Sequence, residues 1–205
     1  MSKPLPLLTS PPTERRDAAR NREALMTAAA ALVEEVGVRG VTMDALACRA
    51  GVGKGTVFRR FGSREGLMGA LLNHSETEWQ AAVMAGPPSL GPGAPPMERL
   101  LAFGESRMLL NLRHAELIEA AGNPGARSVG ALSFTTMHVR YLLDQLGVEG
   151  DLAYLATALV APLESIVLRE QVDRAHLPMG RLVAGWSDLV RRVTAPAGSL
   201  DVVAH

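Results

Sequence analysis

The sequence of 205 residues is poor in several features that identify particular protein classes. Cys48 is its single cysteine, so no disulfide can form within the chain, and we expect a reducing, cytoplasmic location. No apolar run approaches the roughly 20 residues that a membrane-spanning helix needs. The start of the chain has too many prolines for a signal peptide. Basic and acidic residues number 21 each, so the net charge indicates no class of partner.

The pattern of a β-strand is also missing. No segment shows sustained alternation of apolar and polar residues with β-branched side chains. Apolar residues recur instead at helical spacing, and proline and glycine interrupt them most densely over residues 86–96. We therefore expect an all-α fold with a loop at 86–96. The predicted helices cover residues 16–36, 42–50, 53–61, 63–85, 96–111, 114–121, 126–146, 151–172 and 178–194.

Residues 42–61 have the pattern of a helix-turn-helix. Thr42 can cap the first helix with its side-chain oxygen, and Gly51 can adopt the left-handed conformation that ends it. In the second helix, Val57 and Phe61 are four residues apart and face inward. The side chains left facing outward carry cations and a hydroxyl: Lys54, Thr56, Arg59 and Arg60. Such a helix can enter a major groove and contact phosphates and base edges, so the segment predicts DNA binding.

Charge is distributed unevenly along the chain. Residues 1–64 hold 11 lysines and arginines against 6 acidic residues, whereas residues 65–205 hold 10 against 15. The basic surplus therefore lies with the helix-turn-helix, as binding to phosphates requires.

The segment over residues 18–72 resembles the N-terminal domain of TetR-type transcriptional regulators. The resemblance is carried by the following residues: Thr42, Ala50-Gly51-Val52, Gly53-Lys54-Gly55, Phe58, Phe61, Ser63-Arg64-Glu65 and Leu67. It implies phosphate contacts from Thr42, Arg60 and Arg64. Most relatives have tyrosine at the position of Phe58, so the phosphate contact of that hydroxyl is lost here. The predicted DNA-binding residues are Thr42, Lys54, Gly55, Thr56, Phe58, Arg59, Arg60 and Arg64.

The resemblance and the composition together divide the chain into four segments. We expect a flexible arm over 1–13 and a three-helix DNA-binding domain over 14–62. A helical bundle for ligand binding and dimerisation then covers 63–194, followed by a flexible tail over 195–205.

The last two predicted helices have broader apolar faces than one core requires. By resemblance, this pair forms a four-helix dimer interface, which brings two recognition helices to successive major grooves of a palindrome. The predicted interface residues are Leu155, Leu159, Trp186, Leu189 and Val193. The alternative is that both apolar faces belong to the core of one chain.

Methionines and aromatic residues recur at helical spacing in the middle of the predicted bundle. Regulators of the resembled family hold a small effector in such a place, which implies a mainly apolar ligand. Its predicted contacts are Met108, Leu112, Phe134, Met137, His138 and Tyr141. Ordinary core packing is the alternative. No histidine, cysteine or carboxylate group has the spacing of a closed metal site, so we expect no metal and no cofactor.

These patterns favour a ligand-responsive repressor that binds a palindromic operator in double-stranded DNA as a homodimer, without a membrane. One alternative is a helix-turn-helix module that serves structure or protein interaction and has no effector. Another is an enzyme built on a helical bundle. The sequence has no Ser-His-Asp elbow, phosphate loop, zinc signature or plausible carboxylate pair, so we expect a protein that is not an enzyme.

Overall fold

The computed structural model describes the backbone of residues 12–122 and 129–195, and the side chains of residues 20–122 and 133–195. The described backbone contains no strand, and the all-α expectation is confirmed. Its α-helices are α1 (Pro12–Gly40), α2 (Met43–Arg49), α3 (Lys54–Phe61), α4 (Arg64–Ala85), α5 (Pro96–Arg113), α6 (Ala115–Ala120), α7 (Val129–Gln145), α8 (Leu152–Val160), α9 (Ser165–Arg169) and α10 (Met179–Thr194). The predicted loop separates α4 from α5.

The ends of the chain differ in part from the prediction. Helix α1 begins at Pro12, so the last two residues of the predicted arm are helical. The other arm residues and residues 196–205 of the predicted tail lie outside the described residues. Gly37 interrupts α1 with a φ of 70° and a ψ of 165°, directly after residue 36, where the predicted first helix ends. Glycine suits this position because a positive φ strains most other residues.

The chain divides into two compact units, residues 1–71 and 72–205, and the division falls inside α4. Leu67, Met68 and Leu71, from the first turns of α4, are buried. None of the three belongs to the hydrophobic core of the second unit. The first turns of α4 therefore pack within the N-terminal unit.

The predicted single helix over 151–172 is wrong. Proline lacks the N–H that continues a helix, and Pro162 lies where α8 changes to a 3-10 turn. Glu164 is extended, α9 restarts after it, and a π-helical turn follows at Glu170–Arg174. The break leaves the carbonyl of Leu163 buried, and the Asn111 side chain donates a 2.5 Å hydrogen bond to it. No single helix in the described residues is long and apolar enough to cross a membrane. The segments Leu152–Leu163 and Ser165–Arg174, which are bent relative to each other, meet that test together, by length and composition only.

A close contact between α5 and α10 lies in the core of the second unit. Trp186 is 4% exposed, and its indole Nε1 donates a 2.9 Å hydrogen bond to the Leu159 carbonyl. Gly104 faces the same indole: a Cβ at this position would lie 2.2 Å from Cζ3 of Trp186. The glycine therefore makes room for the ring. Trp186 and Leu159 were predicted at a dimer interface, but both are buried within this chain, as the alternative of a single-chain core expects.

Candidate nucleic-acid interface

The turn between α2 and α3 has the predicted geometry. Thr42 caps α2, since its Oγ1 accepts a 3.1 Å hydrogen bond from the backbone N–H of Ala45. Gly51 has a φ of 65°, and the N–H of Val52 donates to the carbonyl of Ala47 at 3.0 Å. This pairing is the Schellman arrangement that ends many helices. It fixes the direction in which α3 leaves the turn.

Helix α3 places its apolar and basic side chains on different faces. Val57 is fully buried, and Phe61 is half-buried. Thr56 is half-buried, while the remaining predicted contact residues on α3 are exposed: Lys54, Gly55, Phe58, Arg59 and Arg60. Phe58 is 48% exposed, so its ring belongs to the outward surface of this unit. The face presents three cations, a glycine backbone and an aromatic ring to a partner.

A cleft of about 220 Å³ lies between α1 and α3. Asn21, Arg22 and Leu25 line it from α1, and Thr56, Arg59 and Arg60 line it from α3. Sequence analysis missed Asn21 and Arg22. Arg22 precedes the buried Leu25 by three residues, which puts both on one side of α1. That spacing could have indicated Arg22, once α1 was known to pack beside α3.

Ion pairs join Lys54 to Asp44 and Arg49 to Glu35 in the N-terminal unit. The Nζ of Lys54 lies 2.5 Å from Oδ2 of Asp44, and both side chains are well exposed. Arg49 pairs with Glu35 through both carboxylate oxygens. The hydrogen bond from Arg49 holds the pKa of the Glu35 carboxyl below its ordinary value. A neighbouring carboxylate therefore offsets part of the positive charge of Lys54 and of Arg49.

Arg64 occupies a partly buried position at the start of α4. Its Nε donates to the Val41 carbonyl at 3.0 Å, and its Nη2 donates to the Val38 carbonyl at 2.5 Å. Val38 lies near the end of α1, and Val41 lies in the connection from α1 to α2. Arg64 thus ties α4 to this connection, and two of its donors are already used within the protein.

Of the six predicted ligand contacts, the rings of Phe134, His138 and Tyr141 lie together, whereas Met108 lines a different cleft. Met137 and Tyr141 are 63% and 49% exposed, whereas Met108 and His138 are buried. Phe134, which is half-buried, stacks with His138 at a ring separation of 5.9 Å. Leu112 is also half-buried. Met108 instead lines a cleft of about 360 Å³ with residues of α9, α10 and the turns beside them.

A charged pair with a buried arginine and a half-buried glutamate lies beside Trp79 in the second unit. Arg107 is 1% exposed, and its Nη1 donates to the Glu76 carboxylate at 2.7 Å. Its guanidinium carbon lies 4.6 Å from the ring centre of Trp79, and Trp79 is 5.0 Å from Phe103. Sequence analysis did not identify Arg107, because the partner carboxylate is on another helix.

The remaining predicted interface residues differ in exposure. Leu189 is 37% exposed, and Leu155 and Val193 are partly buried against the core of the second unit. Two residues outside the prediction are more exposed: Tyr154 at 73% and Ile166 at 76%.

In the described residues, no group of three or more histidine, cysteine, aspartate or glutamate side chains could hold a metal ion.

Comparison with known proteins gives matches for the helix-turn-helix region. Residues 25–71 match the family described as "Bacterial regulatory proteins, tetR family". A stretch of 76 residues is 37% identical to the HTH-type transcriptional repressor Rv3405c of Mycobacterium tuberculosis. It is equally identical to the HTH-type transcriptional regulator Mb3439c of Mycobacterium bovis. The match covers 35% of this chain and 40% of each relative, so the chain spans about two fifths of the curated relatives.

Solved structures share the fold over most of the chain. A TetR-family transcriptional regulator from Pectobacterium atrosepticum has a TM-score of 0.63 at 21% identity, over 87% of this chain and 96% of that chain. A TetR-like transcriptional regulator from Rhodococcus sp. RHA1 has a TM-score of 0.54 at 20% identity, over 86% and 97%. The helix-turn-helix geometry and the match over residues 25–71 agree: this segment belongs to the tetR family of bacterial regulatory proteins, and the solved structures share the fold of the chain.

Proposed function

We propose that the protein is a transcriptional regulator that acts in the cytoplasm and binds double-stranded DNA through α3. The observation that carries the proposal is the cleft between α1 and α3, where Arg22, Arg59 and Arg60 come together beside Thr56. Single surface arginines are ordinary, but three around one recognition helix have the charge and the hydrogen-bond donors that phosphates and base edges require. The basic surplus of residues 1–64 supports the same conclusion.

The exposed positions suggest a role for each side chain. Arg59 can donate two hydrogen bonds to a guanine edge, and Thr56 can bond a base or contact a thymine methyl group. Arg60 and Arg22 then contact phosphates, and Gly55 lets the backbone approach the DNA. Phe58 has no hydroxyl, so its ring contacts sugars or thymine methyl groups. The family assigns Thr42 and Arg64 to phosphates, but Arg64 has only its remaining N–H groups for that contact.

We further propose that the regulator binds a palindromic operator as a homodimer and acts as a repressor. Tyr154, Ile166 and Leu189 place exposed apolar surface on the last helices of the second unit. A twofold interface there would pair two helix-turn-helix units with two half-sites. The name of the Mycobacterium tuberculosis relative, a transcriptional repressor, favours repression.

A small-molecule effector in the second unit is part of the proposal. The 360 Å³ cleft that contains Met108 is mostly apolar, with Leu168 and Leu182 in its lining and Arg181 as a polar group. This composition is typical of sites for small apolar ligands. Helix α4 belongs to both units, so it can connect ligand binding to the helix-turn-helix. By linkage, a ligand that weakens DNA binding must itself bind less tightly to the DNA complex.

The experiment begins with selection of bound fragments from the source genome, which supplies an operator. Titrations on this operator and on a scrambled duplex then compare the native protein with Arg59→Ala and Arg60→Ala. Loss of a bidentate base contact costs roughly 1–3 kcal/mol, so Arg59→Ala should weaken operator binding about 5- to 150-fold. Loss of a phosphate contact should weaken binding to both duplexes about equally and reduce the salt slope by about one.

A matched control removes the same charge from the second unit. Arg113 is exposed at the end of α5, so Arg113→Ala should leave both affinities unchanged. If Arg59→Ala and Arg60→Ala also retain full affinity on both duplexes, α3 does not bind DNA and the proposed function is wrong.

A further inference from the structure

We propose that Asp44 is a specificity-determining residue, whose carboxylate directs Lys54 away from phosphates and toward the edges of bases. The inference rests on the proposed DNA-binding function. In this inference, an acidic residue of α2 weakens non-specific binding to DNA more than it weakens binding to the operator.

The position of the pair follows from the helix-turn-helix backbone. Asp44 is in the first turn of α2, and Lys54 is the first residue of α3. The turn between them is held by the hydrogen bond from Val52 to Ala47, so the two side chains start from fixed positions. They meet at 2.5 Å and remain 58% and 67% exposed, so DNA can reach the ammonium group while Asp44 stays beside it.

The start of α3 has a local excess of positive charge. A helix begins with unpaired backbone N–H groups, which act as a partial positive charge. Gly53 provides no side-chain cap, and the first turn of α3 has no acidic residue. Lys54 adds a full charge at the same place. Asp44 is the acid that offsets this charge, whereas the structure shows no ion pair from Arg59 or Arg60 to the described residues.

The chemistry of the acceptor decides what this pairing does. The ammonium of Lys54 has three donors, so it can bind Asp44 and a DNA acceptor at once. A phosphate brings a second negative charge next to the carboxylate, and the two repel each other. Guanine N7 and O6 are uncharged acceptors and cause much less repulsion. Asp44 therefore penalises a phosphate contact by Lys54 more than a base contact, and this difference increases sequence discrimination.

The test compares Asp44→Asn with the native full-length protein on an operator and on a scrambled duplex, at several salt concentrations. An exposed ion pair is worth up to about 1 kcal/mol, so the affinity for scrambled DNA should rise about three- to fivefold. The affinity for the operator should rise less, so the ratio of the two affinities falls. For each N-terminal unit bound to DNA, Asp44→Asn should also steepen the salt dependence of the affinity by up to about 0.9 in slope. The reason is that Asp44 no longer offsets one positive charge beside the phosphates. Asp44→Glu keeps the charge and should retain the native ratio.

Two controls separate pairing from general charge. Glu35→Gln removes the same charge from the ion pair with Arg49, and it should leave the affinity ratio at its native value. In a Lys54→Gln background, Asp44→Asn should no longer change the ratio, because the pair is already broken. Melting temperatures within a few degrees of the native value establish that each variant is folded.

The outcomes distinguish the inference from the function on which it rests. The inference is overturned if folded Asp44→Asn keeps the native affinity ratio, or if it changes that ratio equally with and without Lys54. A native protein that binds the operator no better than scrambled DNA would refute the proposed function and this inference together.

Discussion

Replacement of Gly104 by alanine tests the contact between α5 and α10 directly. The new Cβ would lie 2.2, 2.4 and 2.5 Å from three carbons of the Trp186 ring, well inside van der Waals contact. The ring is rigid, and its Nε1 is bonded to the Leu159 carbonyl in the core, so it has little freedom to move away. Either α5 or α10 must therefore shift.

The expected cost follows from two opposing effects. Overpacking of a dense core costs typically about 1–3 kcal/mol. Alanine is favoured over glycine in the middle of a helix by up to about 1 kcal/mol, which offsets part of this cost. We expect Gly104→Ala to lower the free energy of unfolding of the second unit by about 1–2 kcal/mol.

Denaturant unfolding followed by the fluorescence of Trp186, in a Trp79→Phe background, measures this change in the unit concerned. Gly185→Ala is the matched control, because Gly185 lies in α10 and its added Cβ would have no heavy atom within 4 Å apart from its chain neighbours and the nearby backbone of its own helix. It should stabilise the same unit by up to about 1 kcal/mol. A Gly104→Ala protein as stable as the Gly185→Ala protein would refute the close packing of α5 against α10.

Two further predictions concern the second unit. Ile166→Glu or Tyr154→Glu should convert a homodimer to monomers in light scattering at micromolar concentration, because both side chains are exposed apolar groups; an unchanged mass would place the interface elsewhere. Burial, with a smaller effect of Arg99, lowers the pKa of His138 to about 4. Between pH 6.5 and 4, the unfolded chain therefore binds a proton that the folded chain does not. The free energy of unfolding should fall by up to about 3 kcal/mol as the pH decreases over this range. His138→Leu should reduce this pH dependence, and an equal dependence in both proteins would contradict the assignment.

The sequence predicted the features that depend on neighbouring residues. The cap at Thr42, the turn at Gly51 and the inward position of Val57 all follow from contacts within a few residues, and the structure has each of them. The break in the predicted helix over 151–172 could also have been predicted, because Pro162 interrupts the backbone hydrogen bonds whatever the surrounding apolar pattern.

Features that depend on distant residues could not be predicted in this way. The apolar pattern shows that Trp186 faces a neighbour, but only the position of Gly104 on another helix decides that this neighbour belongs to the same chain. The same limit applies to the DNA-binding candidates. Arg22 joins Arg59 because α1 packs beside α3, and the hydrogen bonds of Arg64 depend on where the connection from α1 to α2 passes.

The most direct test of the account is the affinity of the native protein for a selected operator and for a scrambled duplex of equal composition, measured from low to physiological salt. A regulator that reads sequence should prefer the operator by at least about a thousandfold at physiological salt, while the weaker binding to scrambled DNA falls steeply as salt increases. Equal affinities for the two duplexes at every salt concentration would contradict the central claim that α3 reads a DNA sequence.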